Sequence, residues 1–460
     1  MRFAPIFSFA IFSVWATIPA YAEPLEAGFA TADITPPVGY RMSGYFNERP
    51  STGVRDPLLA RVIVLRQGDV QAALVFCDLI GISLSVAGAV RQRAEEQLGI
   101  PAAHVAISAT HSHTGPLYFG ELREYFHALA VAEHGSDPRE EFDYAAALVD
   151  KLSAALAEAQ SALAPVELAA GIAREDRLSF NRRFHMRDGT VRFNPGQQNP
   201  DIVRVAGPID PEVGLLRFTP VGGKAPSAAL AAFALHLDTV GGTEYSGDYP
   251  AVLQNRLREV FGGEFLSLFG AGTCGDINHV DVSIQGRRST EEIGTMLAET
   301  VAAALPRLAP VESPSLAVRS RRVDYPKQVY TPAQIEAARQ AMVDVANPQG
   351  GQDGGSAGRR QGRAAGGRRT GGRGASRGDC AGVACKLRNR PVLFAVGSPG
   401  RAGSANSATW RRSQVPIGCP GGKRPRSVCC SKQWQARLRP GNKVMDFIGR
   451  TGLWSRFRTR

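Results

Sequence analysis

The sequence predicts an α/β fold, a mixed β-sheet core with flanking helices, over residues 23–346, followed by a disordered basic tail at 347–460. Short apolar runs of strand length alternate with amphipathic helical patterns, which suits a mixed sheet covered by helices. Gly and Pro pairs separate them, at Pro36-Pro37, Asn194-Pro195, Gly207-Pro208 and Gly241-Gly242. After Asn347-Pro348 the composition changes abruptly: from Gln349 to Arg460 there are 24 Lys and Arg against 3 acidic residues, leaving 30 basic and 39 acidic residues before it. The formal charge of +12 over 460 residues is therefore the sum of an acidic body and a strongly basic tail. Length and a 43% hydrophobic content allow one large or two medium domains, and exclude a disulfide-stapled miniprotein, a collagen and a multi-span membrane protein.

The first 22 residues read as a signal peptide. Arg2 gives a positive start, Phe3 to Ile18 is uncharged and apolar, and Ala20-Tyr21-Ala22 has the small-x-small pattern of a cleavage site. A retained anchor is the competing reading, but the run is shorter than the ~20 apolar residues of a spanning helix. The mature chain is then exported, periplasmic or secreted.

Ala72 to Ile80, Val105 to Ala109, Ala228 to Leu237 and Phe265 to Gly270 are apolar runs that suit buried strands. Val86 to Leu98, Phe142 to Gln160 and Thr290 to Leu305 carry Ala, Glu and Leu at i, i+3, i+4 spacing and predict helices.

The tail has little to bury. Gly350 to Gly378 is mostly Gly, Arg, Ala and Ser, and five of the seven cysteines follow (Cys380, Cys385, Cys419, Cys429, Cys430) with no Cys-x-x-Cys pair. Two readings compete: an Arg-Gly-rich binder of an anionic polymer or membrane surface, and a shifted reading frame in GC-rich DNA, which yields Arg, Gly, Pro, Ala and stray Cys while losing Glu and Tyr. An export signal argues against a nucleic-acid partner.

The chemistry gathers at strand ends. Ile107 to Pro116 runs from an apolar strand into His111-Ser112-His113, followed by a Gly-Pro turn. In extended geometry residues i and i+2 share a face, so both imidazoles can converge on one site. Paired histidines are a common opening of a zinc site, although alone they also suit two polar strand-end residues. A second apolar run ends in His236, followed by Asp238 and Ser246-Gly247-Asp248-Tyr249-Pro250. A third leads into Gly272-Thr273-Cys274-Gly275-Asp276-Ile277-Asn278-His279, whose glycines permit a tight turn close to a ligand.

These blocks resemble the N-terminal catalytic domain of the neutral (alkaline, non-lysosomal) ceramidases. The resemblance begins at Ala32 to Gly39, runs through Met42 to Tyr45, Asp56 to Arg61 and Thr110 to Pro116, and resumes at Asn181 to Arg183, Asp210 to Phe218, His236, Ser246 to Tyr249 and Gly275 to Asn278. The blocks keep the family's order, which makes the likeness specific. It implies a zinc-dependent amidohydrolase that cleaves the N-acyl bond of ceramide, a related lipid amide or another N-acyl compound. It implies His111 and His236 as zinc ligands, His113 as a hydrogen-bond partner of the reacting group, and Arg182 in the anion-accepting part of the site. Asn278 stands where the family carries Ser; its amide can donate to an oxyanion but cannot act as a nucleophile. The implied partners are this substrate, with peripheral membrane contact, and no specific nucleic acid.

The family's zinc shell also draws on a Glu in a Pro-Gly-Glu type segment and on a later Tyr. Both fall in the tail, which contains neither Glu, Tyr nor His. Asp78, Asp238, Asp248 and His279 are available substitutes that no motif supports. The expectation is an incomplete catalytic domain, weakly active or inactive. The alternative is a non-catalytic scaffold whose basic tail binds an anionic polymer or membrane surface.

Overall fold

The computed structural model describes residues 23–223, 227–320, 323–324, 329–346, 388–389 and 392–397. The signal peptide assigned to 1–22 and most of the tail assigned to 347–460 lie outside the described residues. Strands Arg388–Asn389 and Val392–Gly397 pair antiparallel with Val323–Asp324 and Ser315–Ser320. No helix among the described residues is long and apolar enough to cross a membrane.

The main sheet is mixed, as the sequence predicts. Its strands are β1 (Glu26–Asp33), β2 (Leu59–Gln67), β3 (Val70–Cys77), β4 (Val105–Ala109), β5 (Ala164–Arg174), β6 (Glu212–Pro220), β7 (Ala228–Phe233), β8 (Leu266–Ala271) and the short β9 (Ala309–Pro310). They lie in the order β8-β7-β6-β5-β1-β2-β3-β4, with β9 on β5. Two parallel pairs close the series, β3 with β4 and β7 with β8, and the rest are antiparallel. Each parallel pair needs a crossover. Helix α1 (Leu84–Leu98) supplies the first, and the second contains α4 (Tyr249–Phe261).

Only two residue pairs, Glu26 with Pro165 and Ala27 with Ala164, join β1 to β5. That narrow seam lets the two halves fold face to face. Side chains from both halves meet in one buried cluster that includes Ile63, Leu65, Leu74 and Phe76 from the first half and Leu168, Leu216, Phe218, Leu230 and Leu268 from the second. The alternate residues Val62, Val64 and Val75 point the other way, onto α1 and α3 (Tyr144–Ser161) through Val86, Val90, Leu148, Leu152 and Leu156. Leu215, Ala229, Phe233 and Phe269 likewise pack on α4 and α5 (Thr290–Ala304) through Leu253, Leu257, Ile293 and Leu297. The result is four layers, helix, sheet, sheet and helix, and β7 reads as an unbroken apolar run, as does Val62 to Leu65 within β2, because both faces are buried there.

Local chemistry fixes the helix ends. Ser83 Oγ accepts from Val86 N at the start of α1, Asp143 from Ala146 N at α3, and Ser289 with Glu292 forms a reciprocal capping box at α5. A further helix, α2 (Glu121–His134), buries only Phe126 along its length. In the folded chain β4 lies against β8, so the loops leaving β4, β7 and β8 share one region.

Candidate metal centre

The two histidines after β4 do converge, but not by extended geometry. The strand ends at Ala109, and His111 takes φ of 76°, a left-handed conformation rare outside glycine. The kink is held by His111 N donating to Leu79 O and by His111 Nδ1 bonding to Ile80 O at 2.9 Å. The i, i+2 expectation is thus corrected: a backbone kink, and not strand periodicity, aims His111. His113 is placed by its own backbone N–H, which donates to Leu237 O at 3.1 Å and ties this loop to the segment carrying His236.

His111, His113 and His236 come together with their ligand nitrogens within 4.8 Å of one another. Ring centroids are 4.6 Å apart for His111 and His236, 4.8 Å for His113 and His236, and 5.1 Å for His111 and His113. His236 is 4% exposed, and its Nδ1 bonds to Cys274 O at 3.0 Å. Burial lowers the pKa of all three imidazoles, with His113 pushed down to about 3 and His236 to about 4. All three are therefore neutral at pH 7.

A neutral imidazole that donates from Nδ1 must carry a lone pair on Nε2. The carbonyls of Ile80 and Cys274 impose this tautomer on His111 and His236, leaving both Nε2 atoms as acceptors. His113 Nε2 sits 3.0 Å from His236 Nε2, so His113 is the donor of that pair and its buried Nδ1 has no partner. Imidazoles oriented by a carbonyl at Nδ1, with the Nε2 lone pair turned inward, are the usual arrangement around a divalent transition metal. The donor set fits zinc.

The other sequence-predicted residues lie on one braced unit. Arg182 N donates to Asp276 O at 2.7 Å, and the two-residue strands Phe180–Asn181 and Ile277–Asn278 pair antiparallel. The Arg182 guanidinium donates from Nη2 to Gly275 O at 3.0 Å, lies over Phe193, and its charge helps to depress the three imidazoles. Asn278 is buried, but its carboxamide is engaged: Nδ2 donates to Asn194 Oδ1 and Oδ1 accepts from Val280 N.

Two acidic residues of the motif blocks are braces. The Asp248 carboxylate accepts from Thr239 N, Thr239 Oγ1, Val240 N and Tyr249 N, pinning the loop just past His236. Asp56 accepts from Ser246 Oγ and Gly247 N. Asp238 differs. It sits beside buried His279, Oδ1 to Nδ1 at 3.6 Å. Burial works to raise its carboxyl pKa, but His279 and the imidazoles of His236 and His113 hold it below the ordinary carboxylate range.

Sequence reasoning assigns no role to Tyr45 and Arg49. Tyr45 meets His113 edge-on at 5.7 Å, and Arg49 lies 4.2 Å over the Tyr45 ring while donating to His113 O. A second cluster, His127, Asp137 and Glu140, already holds the cations Arg41 and Arg123, so it is an ion-pair network.

Fold and site together define an α/β/β/α domain with a cluster of three neutral histidines, one buried and two half-buried, between the ends of its sheet halves. Residues 25–247 match the family model described as neutral/alkaline non-lysosomal ceramidase, N-terminal, so the resemblance read from the motifs is shown over that segment. The fold is similar to the crystal structure of a neutral ceramidase from Pseudomonas aeruginosa, at TM-score 0.51 and 21% identity over 66% of this chain and 48% of that one. It is equally similar to a ceramidase complexed with C2, over 66% and 47%. The chain thus spans about half the length of the solved structures it matches. No curated protein matches it.

Proposed function

We propose that the chain is a zinc-dependent hydrolase of the ceramidase kind, exported, and acting on the N-acyl bond of a ceramide-like lipid amide or a related N-acyl compound. One observation carries the reading: His111 and His236 each have Nδ1 tied to a backbone carbonyl and present the Nε2 lone pair to the same cluster. The family match over residues 25–247 supplies the reaction class.

When bound, zinc lowers the pKa of a water and polarises a carbonyl. The chain's own residues do the rest. His111 and His236 would hold the ion without protonation competing at neutral pH, since burial lowers the pKa of both imidazoles. If an ion took up the His236 lone pair, the His113 Nε2–H would be free to hydrogen-bond the oxygen on which negative charge develops. Arg182, anchored on Gly275 O, sets a positive charge beside the cluster that favours the carboxylate product. Asn278 serves as a loop brace through Asn194 and has no nucleophile to offer.

Two histidines fall short of the three protein ligands that catalytic zinc ordinarily keeps, so turnover by these two ligands alone is slow. The test is metal analysis of the purified chain together with hydrolysis of a short-chain N-acyl sphingosine. Stoichiometric zinc and amide cleavage that both vanish in His236→Ala are the expected result. Amide cleavage unchanged in His111→Ala and His236→Ala would discard the proposal.

A further inference from the structure

Among the described residues the buried arginines come with an acid, with one exception. Arg41 is held by Glu48, Asp137 and Glu140, and Arg61 by Asp78. Arg49, 9% exposed, has only the carbonyls of Ser43, His113 and Gly242, and its buried Nε has no partner. A desolvated guanidinium without a counter-charge is costly, and burial lowers its pKa accordingly. Thr239, Val240 and Gly241, just ahead of the Gly242 that Arg49 holds, line a cleft of about 380 Å³ with Arg55, Arg287, Arg288 and the first turn of α5.

The cleft repeats the shortage of acids. Arg55 and Arg287 make no hydrogen bond or ion pair among the described residues, and Arg288 donates from Nη1 to Arg177 O. The two acids of the lining are already committed, Glu291 to Arg256 and Glu292 to the capping box with Ser289. Asp56, next to Arg55, is taken by Ser246 Oγ and Gly247 N. Carboxylates are not scarce, since the residues before Gln349 include 39 acidic against 30 basic ones. Guanidiniums left unmatched at one place in an acidic body are what a site for phosphate oxygens requires. Thr239 follows His236 by three residues, so their Cα atoms are at most about 11 Å apart and one small molecule can span both places. Burial and Asp238 raise the Tyr45 pKa while Arg49 and Arg287 work against the rise, so Arg287 is within reach of Tyr45, whose ring meets His113. We infer that this cleft binds a phosphate group carried by the substrate, held by Arg55, Arg287 and Arg288 while the N-acyl bond lies at the histidines. The site then selects a phosphorylated N-acyl compound over an uncharged lipid amide. The inference rests on the hydrolase reading proposed above.

The test is isothermal titration calorimetry on the full chain stripped of metal, so that zinc plays no part in the binding. The probes are a short-chain N-acyl phosphoethanolamine, its uncharged N-acylethanolamine counterpart and inorganic phosphate. The phosphorylated amide is expected to bind about 10-fold or more tighter than either of the others, and Arg55→Gln and Arg287→Gln each to weaken it by about 10-fold. Arg93→Gln, an equal loss of charge on α1 in the opposite helix layer, is expected to bind like the parent. Equal weakening in all three variants would reduce the effect to net charge and overturn the site, as would equal affinity for the two amides. Inorganic phosphate bound as tightly as the phosphorylated amide would overturn the substrate assignment. Selective binding in a chain that hydrolyses neither amide when loaded with zinc would sink the hydrolase reading and leave the phosphate site standing.

Discussion

His113 Nε2 lies 3.0 Å from His236 Nε2, and the Cys274 carbonyl on the far side of His236 decides which of the two donates. His113 is therefore a hydrogen-bond donor held in reserve, and it differs in kind from its neighbours His111 and His236. His113→Phe removes the N–H donor and is expected to retain stoichiometric zinc while kcat on an N-acyl substrate falls by about 100-fold or more. Metal analysis and steady-state kinetics on the same preparation check this, and loss of zinc would instead place His113 in the metal shell.

Gly44 sets how closely the Tyr45 loop can approach that histidine. Its φ is +104°, and a Cβ there would meet the His113 Cβ, Cα and carbonyl oxygen at 2.6–2.7 Å. Gly39 has a similar φ of +96° but open space around it. Gly39→Ala therefore measures backbone strain alone, expected at about 1–2 kcal/mol. Gly44→Ala adds a backbone collision, so it is expected to cost more in urea unfolding and also to depress kcat by moving His113. Equal costs for the two variants would show that the loop yields freely.

Some of this site is legible in the linear sequence and some is not. Val105 to Ala109 emerges as a strand with the bounds expected, because a five-residue apolar run between a polar loop and a Gly-Pro turn has few other uses. The gathering of His111 with His236 follows from strands that end in histidine. The means of gathering does not, since the left-handed turn at His111 depends on the carbonyls of Leu79 and Ile80 from another strand's exit. Helix α4 starts inside Ser246-Gly247-Asp248-Tyr249-Pro250, a composition that spells a turn until Asp248 is seen capping Tyr249 N and Pro250 filling the first helical turn. Helix α2 hides for the opposite reason: it buries one large side chain, so its pattern carries little core signal. Nor can spacing distinguish Asp238 from Asp248, because their difference lies in which donors the fold brings to each.

The Arg41 network is expected to contribute to the acid limb of stability through Asp137. Arg41 is 1% exposed, and donates to Asp137 Oδ2 at 2.6 Å, to Glu140 at 3.2 Å and to Glu48 at 2.6 Å. Burial works to raise the Asp137 carboxyl, but the bonds from Arg41 and His127 hold it below its usual value. A folded-state pKa below the unfolded one means that the unfolded chain takes up the proton more readily. The stability Asp137 contributes is then present above its unfolded pKa of about 3.9 and is lost as pH falls through the folded value. Asp137→Asn is expected to lower the urea midpoint at pH 7, with the deficit shrinking below about pH 4. A deficit independent of pH would mean that the carboxylate charge is not what stabilises this corner. Arg41→Met is expected to cost more, about 3–5 kcal/mol, since it strands buried carboxylates without a counter-charge.

Metal removal should be visible as a loss of stability, separately from any assay of turnover. An ion that binds only the folded chain stabilises it by about 4 kcal/mol when free metal exceeds its Kd by a thousandfold. An ion bound there would also gain a hold on three segments at once, since His111 follows β4, His236 follows β7, and the Cys274 carbonyl that orients His236 follows β8. Zinc is therefore expected to raise the melting temperature of the stripped protein and to slow hydrogen exchange in the loops leaving all three strands. His236→Ala should abolish both effects and leave the metal-free melting temperature changed only modestly. His127→Ala, in the cluster already filled by Arg41 and Arg123, should keep the full zinc response. If His127→Ala lost that response and His236→Ala kept it, the ion would belong to the Arg41 cluster and the chemistry assigned to the three histidines would fall.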